Sequence, residues 1–93
     1  MSISRISVLG AGAWGSALAH MLAGMDNEVI LWGRNPKVID EINTHHYNSR
    51  YLGNLKLNPN INATTDLKAT CLSDICLLVV PVNSIEEICK EVA

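Results

Sequence analysis

The apolar run that ends Ile6-Ser7-Val8-Leu9 stops at Gly10, and from Ala13 a different pattern takes over, with apolar residues three and four apart. Ile3 to Leu9 is rich in Ile, Val and Leu, as a strand buried in a parallel sheet is. Trp14, Ala17, Leu18, Met21 and Leu22 recur at the helical period, which predicts a helix from about Ala13 to Gly24 with that stripe against the sheet. Gly24 ends it and Asp26-Asn27 supplies turn chemistry. Glu28 to Gly33 reads as a second strand, brought back parallel by the helical crossover. Asn35 then suits an N-cap and Pro36 the first helical position, where a missing N–H costs nothing. That helix carries Val38, Ile39 and Ile42 inward and fades near Thr44.

His45 to Asn60 is polar and broken, with Asn48, Gly53, Asn54, Asn58 and Pro59 as turn formers. Tyr47, Tyr51, Leu52, Leu55 and Leu57 are expected to anchor this stretch, and an ordered loop so long is usually functional. Ile61 to Thr64 is a short third strand, and Thr65-Asp66 can cap a brief helical turn through Ala69. Ile75 to Val80 is apolar throughout, a fourth strand stopped by Pro81. A last helix follows Asn83-Ser84, where Ser84 and Glu87 have capping-box spacing and Ile85, Ile88, Cys89 and Val92 form the inner stripe. Alternating strands and helices predict an α/β fold: a Rossmann-like, doubly wound parallel sheet in the order 3-2-1-4. Residues 1–93 then make up the first half of a dinucleotide-binding domain, its amino-terminal part. Ala93 follows no C-cap and reads as a cut, and the missing strands are expected to leave one sheet edge uncovered.

Composition narrows the picture. A net charge of -2 gives no footprint for nucleic acid, and no segment approaches the roughly 20 apolar residues of a membrane helix. Cys71, Cys76 and Cys89 are odd in number, match no zinc spacing and sit among apolar neighbours, as reduced core cysteines do. A cytoplasmic protein without structural disulfides or a metal site is expected. His45 and His46 are adjacent and suit a polar loop better than a metal.

The chemistry lies in the glycines. Gly10, Gly12 and Gly15 have G-x-G-x-x-G spacing between a strand and a helix, the order a dinucleotide site needs. Gly10 allows the sharp turn, Gly12 lets a pyrophosphate approach the backbone, and Gly15 lets helix and strand pack closely. The unpaired N–H groups and positive dipole end of the helix face the phosphates. Trp14, inside this fingerprint, is either the first rung of the helix's apolar stripe or a wall of the cofactor cleft. NAD-specific sites place a carboxylate on the ribose 2′-OH about twenty residues further on. Here that place reads Trp32-Gly33-Arg34-Asn35, with no acid. Arg34 can instead give a 2′-phosphate charge-assisted hydrogen bonds, which points to NADP(H) with tolerance of NAD(H). Pro81 and Val82 end the strand beside the first, at the edge where such sheets bind ligands, and are expected to act by shape and backbone atoms.

Three stretches coincide: Gly10-Ala-Gly-Ala-Trp-Gly-Ser-Ala-Leu-Ala19, Val29-Ile-Leu-Trp-Gly-Arg-Asn-Pro36, and Asn48-Ser-Arg-Tyr-Leu-Gly53 running on to Ala63-Thr-Thr-Asp-Leu67. Together with Val79-Val-Pro81 they make the chain resemble the bacterial NAD(P)-dependent sn-glycerol-3-phosphate dehydrogenases over nearly its whole length. The resemblance implies reduction of dihydroxyacetone phosphate to sn-glycerol 3-phosphate, and the reverse, for phospholipid synthesis in the cytoplasm. It implies that Ala13 and Trp14 contact the cofactor at the glycine turn, that Arg34, beside Asn35, meets the adenosine end, and that Asn48 to Leu57 lies near that edge. Position 13 is often serine in the family, so Ala13 offers only its backbone N–H. The loop lacks the proline that commonly follows Leu52, and Val82 stands where a small hydroxylated residue is usual. The family's carbonyl-polarising lysine and substrate-phosphate groups lie beyond position 93. The chain alone is therefore expected to bind cofactor without catalysing, with the phosphorylated substrate held elsewhere and a homodimer left open.

Three other readings stand beside this one. They are a ketopantoate-type or hydroxyacid reductase built on the same first half, a non-catalytic nucleotide-sensing module, and a structural piece that binds no cofactor.

Overall fold

The structure is a computed structural model and describes residues 4–71, 73–80 and 90. Its elements are β1 (Arg5–Leu9), α1 (Ala13–Ala23), β2 (Glu28–Trp32), α2 (Pro36–His45), α3 (Ser49–Leu52), β3 (Ile61–Thr64), a 3-10 turn (Leu67–Thr70) and β4 (Ile75–Leu78). The strands form one parallel sheet in the expected order β3-β2-β1-β4, with Val8 of β1 level with Leu31 of β2 and Leu77 of β4. Pro81, Val82 and the helix expected after Asn83 lie outside the described residues.

Side chains alternate across each strand, so β1 sends Ile6 and Val8 to one face and Ser7 and Leu9 to the other. The first face carries the main core: Val29 and Leu31 of β2, Ala19 and Ala23 of α1, and Val38, Ile39 and Ile42 of α2. α1 and α2 thus cover the same side of the sheet, as two successive right-handed crossovers in one direction require. On the opposite face Leu9 and Trp32 pack with Leu67 of the 3-10 turn, while the buried Ser7 hydroxyl meets the Thr70 carbonyl and the Ser73 hydroxyl. β4 forms the sheet edge opposite β3, and its Ile75 and Leu78 are exposed.

The boundaries of β3 and α2 agree with the sequence pattern, and the Asn35 side chain caps α2 as expected, accepting from the Lys37 N–H at 3.0 Å. Three expectations need correction. The inner stripe of α1 is Gly15, Ser16, Ala19 and Ala23, whereas Trp14 is 84% and Met21 56% exposed. The helical period was right and its phase was one position off. α1 lies so close to the glycine turn that only small residues fit between them, and the large ones turn away. Residues 45–60 contain the short helix α3, and there Leu57 is buried while Tyr51 and Leu55 are exposed. Cys71 and Cys76 are exposed rather than in the core; Cys89 lies outside the described residues.

A Cβ on Gly15 would fall on the Gly10 carbonyl, a backbone group that cannot turn away, whereas a Cβ on Gly12 would meet nothing within 4 Å. Gly15→Ala should therefore destabilise the chain by about 3 kcal/mol or more, as overpacking against backbone does. Gly12→Ala should cost no more than about 1 kcal/mol, the price of alanine at an N-cap. Urea unfolding followed by circular dichroism checks both, and equal losses would contradict this packing.

Candidate functional site

The candidate site sits at the carboxyl ends of β1, β2 and β4. Each strand pairing continues one residue past its strand: the Gly10 N–H donates to the Trp32 carbonyl at 2.8 Å, the Val79 N–H to Leu9 at 2.8 Å and the Gly33 N–H to Thr64 at 3.1 Å. Beyond that last rung the chain turns at Gly10, whose φ of +129° an L side chain rarely adopts. A Cβ there would also strike the Val79 carbonyl. α1 starts at once, with Gly12 as its N-cap in extended conformation and no side chain closing the cap. The Gly12 carbonyl accepts from the Ser16 N–H at 3.0 Å, so the first helical turn is regular and its leading N–H groups precede any carbonyl of the helix that could accept from them.

Two clefts flank this turn and meet at Gly12, Val79 and Val80. The first, of about 400 Å³, runs along Gly10, Gly33, Arg34, Asn35, Val38 and Tyr51. The second, of about 500 Å³, is lined by Ala13, Trp14, Gly15 and Leu78. The exposed indole of Trp14 is therefore a cleft wall and not a rung of the core stripe.

Trp32 gives the first cleft a fixed floor, for its ring is buried and its indole N–H donates to the Thr65 carbonyl at 3.1 Å. The Arg34 guanidinium lies 5.3 Å from the centroid of that ring. A cation over an aromatic face gains about 0.5–1 kcal/mol when exposed, enough to bias its rotamer. No carboxylate is among the described residues lining either cleft.

The structure thus brings together Gly10, Gly12, Ala13, Trp14, Gly15, Arg34 and Asn35 from two strand ends and two helix starts. Pro81 lies outside the described residues. The resemblance places residues 48–57 near the adenosine edge, and Tyr51, expected to anchor that loop, lines the first cleft there, about half exposed. Sequence reasoning missed the role of one residue of that loop. Asn48 was read as a turn former and is fully buried, its side-chain amide donating to the Ala11 carbonyl at 2.9 Å and to Ser16 Oγ at 2.8 Å. No spacing rule points to it, because its partners lie more than thirty positions earlier in the chain.

The residues present fit a dinucleotide. The space over Gly12 is open, the helix start there has no side-chain cap, and a cleft opens on each side. Among the described residues no group of His, Cys, Asp or Glu could hold a metal ion, and no helix is long and apolar enough to cross a membrane.

A 3-2-1-4 parallel sheet with a glycine turn feeding a helix at the carboxyl ends of its strands defines a Rossmann-type, dinucleotide-binding fold. The chain belongs to a particular family of that class, described as "NAD-dependent glycerol-3-phosphate dehydrogenase N-terminus", whose model matches residues 5–93. It is 50% identical over 91 residues to the glycerol-3-phosphate dehydrogenase (NAD(P)+) of Enterococcus faecalis, a match covering 96% of this chain and 26% of that protein. The corresponding protein of Staphylococcus epidermidis is 45% identical over 89 residues, covering 95% and 27%. A crystal structure of glycerol-3-phosphate dehydrogenase from Coxiella burnetii superposes with a TM-score of 0.86 at 36% identity, covering 96% of this chain and 28% of that one. The chain therefore spans about a quarter of the length of these relatives.

α3 is pinned to α2 by Glu41, whose carboxylate accepts from the Ser49 N–H at 2.8 Å and from the Ser49 hydroxyl at 2.7 Å. These bonds hold the Glu41 pKa below the ordinary glutamate value, the hydroxyl most strongly, with His45 adding a smaller effect in the same direction. A lowered folded-state pKa means the pin is fully present above the unfolded value of about 4.3 and is lost as pH falls through the folded one. Carboxyl NMR titration should find Glu41 depressed, and Ser49→Ala should return it toward the ordinary value. An unchanged Glu41 in that variant would contradict the contact.

Proposed function

We propose that this chain is the cofactor-binding amino-terminal part of a cytoplasmic dehydrogenase. That enzyme would use NADP(H), and NAD(H) as well, to interconvert dihydroxyacetone phosphate and sn-glycerol 3-phosphate for phospholipid synthesis. The observation that carries the reading is the meeting of two clefts at Gly12, directly over the uncapped start of α1. A dinucleotide has that shape: two nucleosides joined by a doubly charged bridge.

In this reading the N–H groups of Gly12, Ala13 and Trp14 hold the pyrophosphate, aided by the helix dipole. The adenosine lies in the first cleft, with Arg34 on the ribose 2′-phosphate and the backbone of Gly33 and Asn35 along its side. The nicotinamide occupies the second cleft, with Trp14 as a wall, and would supply the hydride. The chain's own residues bind, orient and exclude water on one side. The developing alkoxide needs a positioned cation or donor. Lys37, Lys56, Lys68 and Lys90 are all exposed, and none is among the described linings of either cleft. The substrate phosphate and that donor are therefore assigned to the rest of the enzyme.

The test is titration of the chain with NADPH and with NADH, reading quenching of Trp14 and Trp32 and energy transfer to the nicotinamide. Both should bind saturably. Losing a charge-assisted contact to phosphate costs about 1.5–3 kcal/mol, so Arg34→Ala should weaken NADPH by about ten-fold or more. NADH should change by less than about two-fold, because it lacks the phosphate. A folded chain that binds neither cofactor would refute the reading, and equal losses would refute the role of Arg34.

A further inference from the structure

The buried side chain of Asn48 has no place in the contacts assigned above. It is fully enclosed, it comes from a segment remote in sequence, and its nitrogen reaches the phosphate turn itself, through the Ala11 carbonyl. Its second donor goes to Ser16 Oγ, also fully buried, one turn into α1. Its oxygen is buried and has no hydrogen-bond partner among the described residues. If burial alone mattered here, an apolar side chain would serve without an unpaired oxygen. What the amide offers is one nitrogen with two donors, spent on the turn and on the helix.

Resting on the dinucleotide reading above, we propose that Asn48 is a positioning residue for the pyrophosphate, setting the plane of the Ala11–Gly12 peptide. A trans peptide is planar, with its C=O and N–H pointing in opposite directions. Drawing the Ala11 carbonyl onto the Asn48 amide therefore aims the Gly12 N–H away from Asn48, out of the buried side of the turn. Without that bond the peptide can rotate, because the glycine on its far side imposes little restraint. A rotated peptide would present a carbonyl oxygen to the phosphates in place of a donor. The bond to Ser16 fixes the same amide to α1, so the turn and the helix start move as one body.

The segment that supplies Asn48 is itself held. The Asn48 carbonyl accepts from Leu52 N–H at 2.8 Å at the start of α3, and the Leu57 N–H donates to the His46 carbonyl at 2.7 Å. The Asn58 N–H donates to His20 Nδ1 of α1 at 2.9 Å, a second tie between this segment and that helix. Residues 46–57 thus form a strap whose one inward polar side chain ends on the back of the phosphate turn.

The experiment compares two ligands on the chain and on Asn48→Ala: NADPH, which needs the turn, and adenosine 2′-monophosphate, which has no pyrophosphate and engages only the adenosine cleft. NADPH binding should weaken about ten-fold or more, while adenosine 2′-monophosphate changes by less than two-fold. Retained adenosine 2′-monophosphate binding also reports that the variant is folded. Asn48→Asp, which keeps the volume and replaces the donor by an acceptor facing the Ala11 oxygen, carries the same test if Asn48→Ala does not fold. Unchanged NADPH binding in a folded variant overturns the proposal, as does an equal loss of both ligands, the mark of a merely structural residue. If the unaltered chain binds adenosine 2′-monophosphate but not NADPH, the dinucleotide reading falls and this proposal falls with it.

Discussion

The closeness of α1 to the end of β1 is the constraint from which the rest of this structure follows. At Gly15 the helix backbone lies on the Gly10 carbonyl, with no room for a methyl group between them. That distance dictates a helix face of Gly, Ser and Ala, and so turns Trp14 and Met21 outward. It also puts the helix start directly after the last hydrogen bond of the sheet, so that the N–H groups of the first turn lie together beside Gly12. Affinity for an anion depends on that grouping, since the dipole effect fades within one turn. Packing and ligand chemistry are here a single requirement placed on the same few residues.

Much of this was legible in the sequence because it is local. Gly10, Gly12 and Gly15 owe their spacing to one turn, and Asn35-Pro36 to one helix start. Alternating apolar strands and crossover helices leave little freedom in sheet order, so 3-2-1-4 could be read before any contact was known. The phase of α1 was not legible, for a reason that applies beyond this chain. Hydrophobic periodicity assumes that the most apolar face is the buried one. Where backbone approaches backbone, the face is chosen for size, and Ser16 is buried while Trp14 is not. Cys76 is exposed for a related reason, because apolar neighbours along the chain say nothing about which side of an edge strand a residue occupies.

The strap at residues 46–57 was the least legible part of the site. Its composition of Asn, Gly and polar residues is that of any surface connection, and the property that matters is which of its asparagines turns inward. Asn54 is exposed; Asn48 is enclosed. Nothing within the segment distinguishes them, since the distinction comes from Ala11 and Ser16. A segment pinned at Glu41, His20 and Ala11 is held for position.

The two clefts also divide the recognition problem between unlike kinds of interaction. On the adenosine side, the groups are polar and oriented: an arginine biased by the Trp32 ring, an amide committed to a cap, and a tyrosine at the rim. In the proposed reading such groups discriminate, because a 2′-phosphate would gain a charge-assisted bond from Arg34 and, among the described lining residues, would meet no carboxylate. The other side offers an exposed indole, a glycine and the apolar ends of β4, which favour a flat ring without selecting its charge. Choice between cofactors, in the same reading, belongs to the strand–helix junction at residues 32–35. In the proposed reading the two ends of the cofactor meet different sets of side chains, so selectivity can change at Arg34 without altering the cleft lined by Trp14.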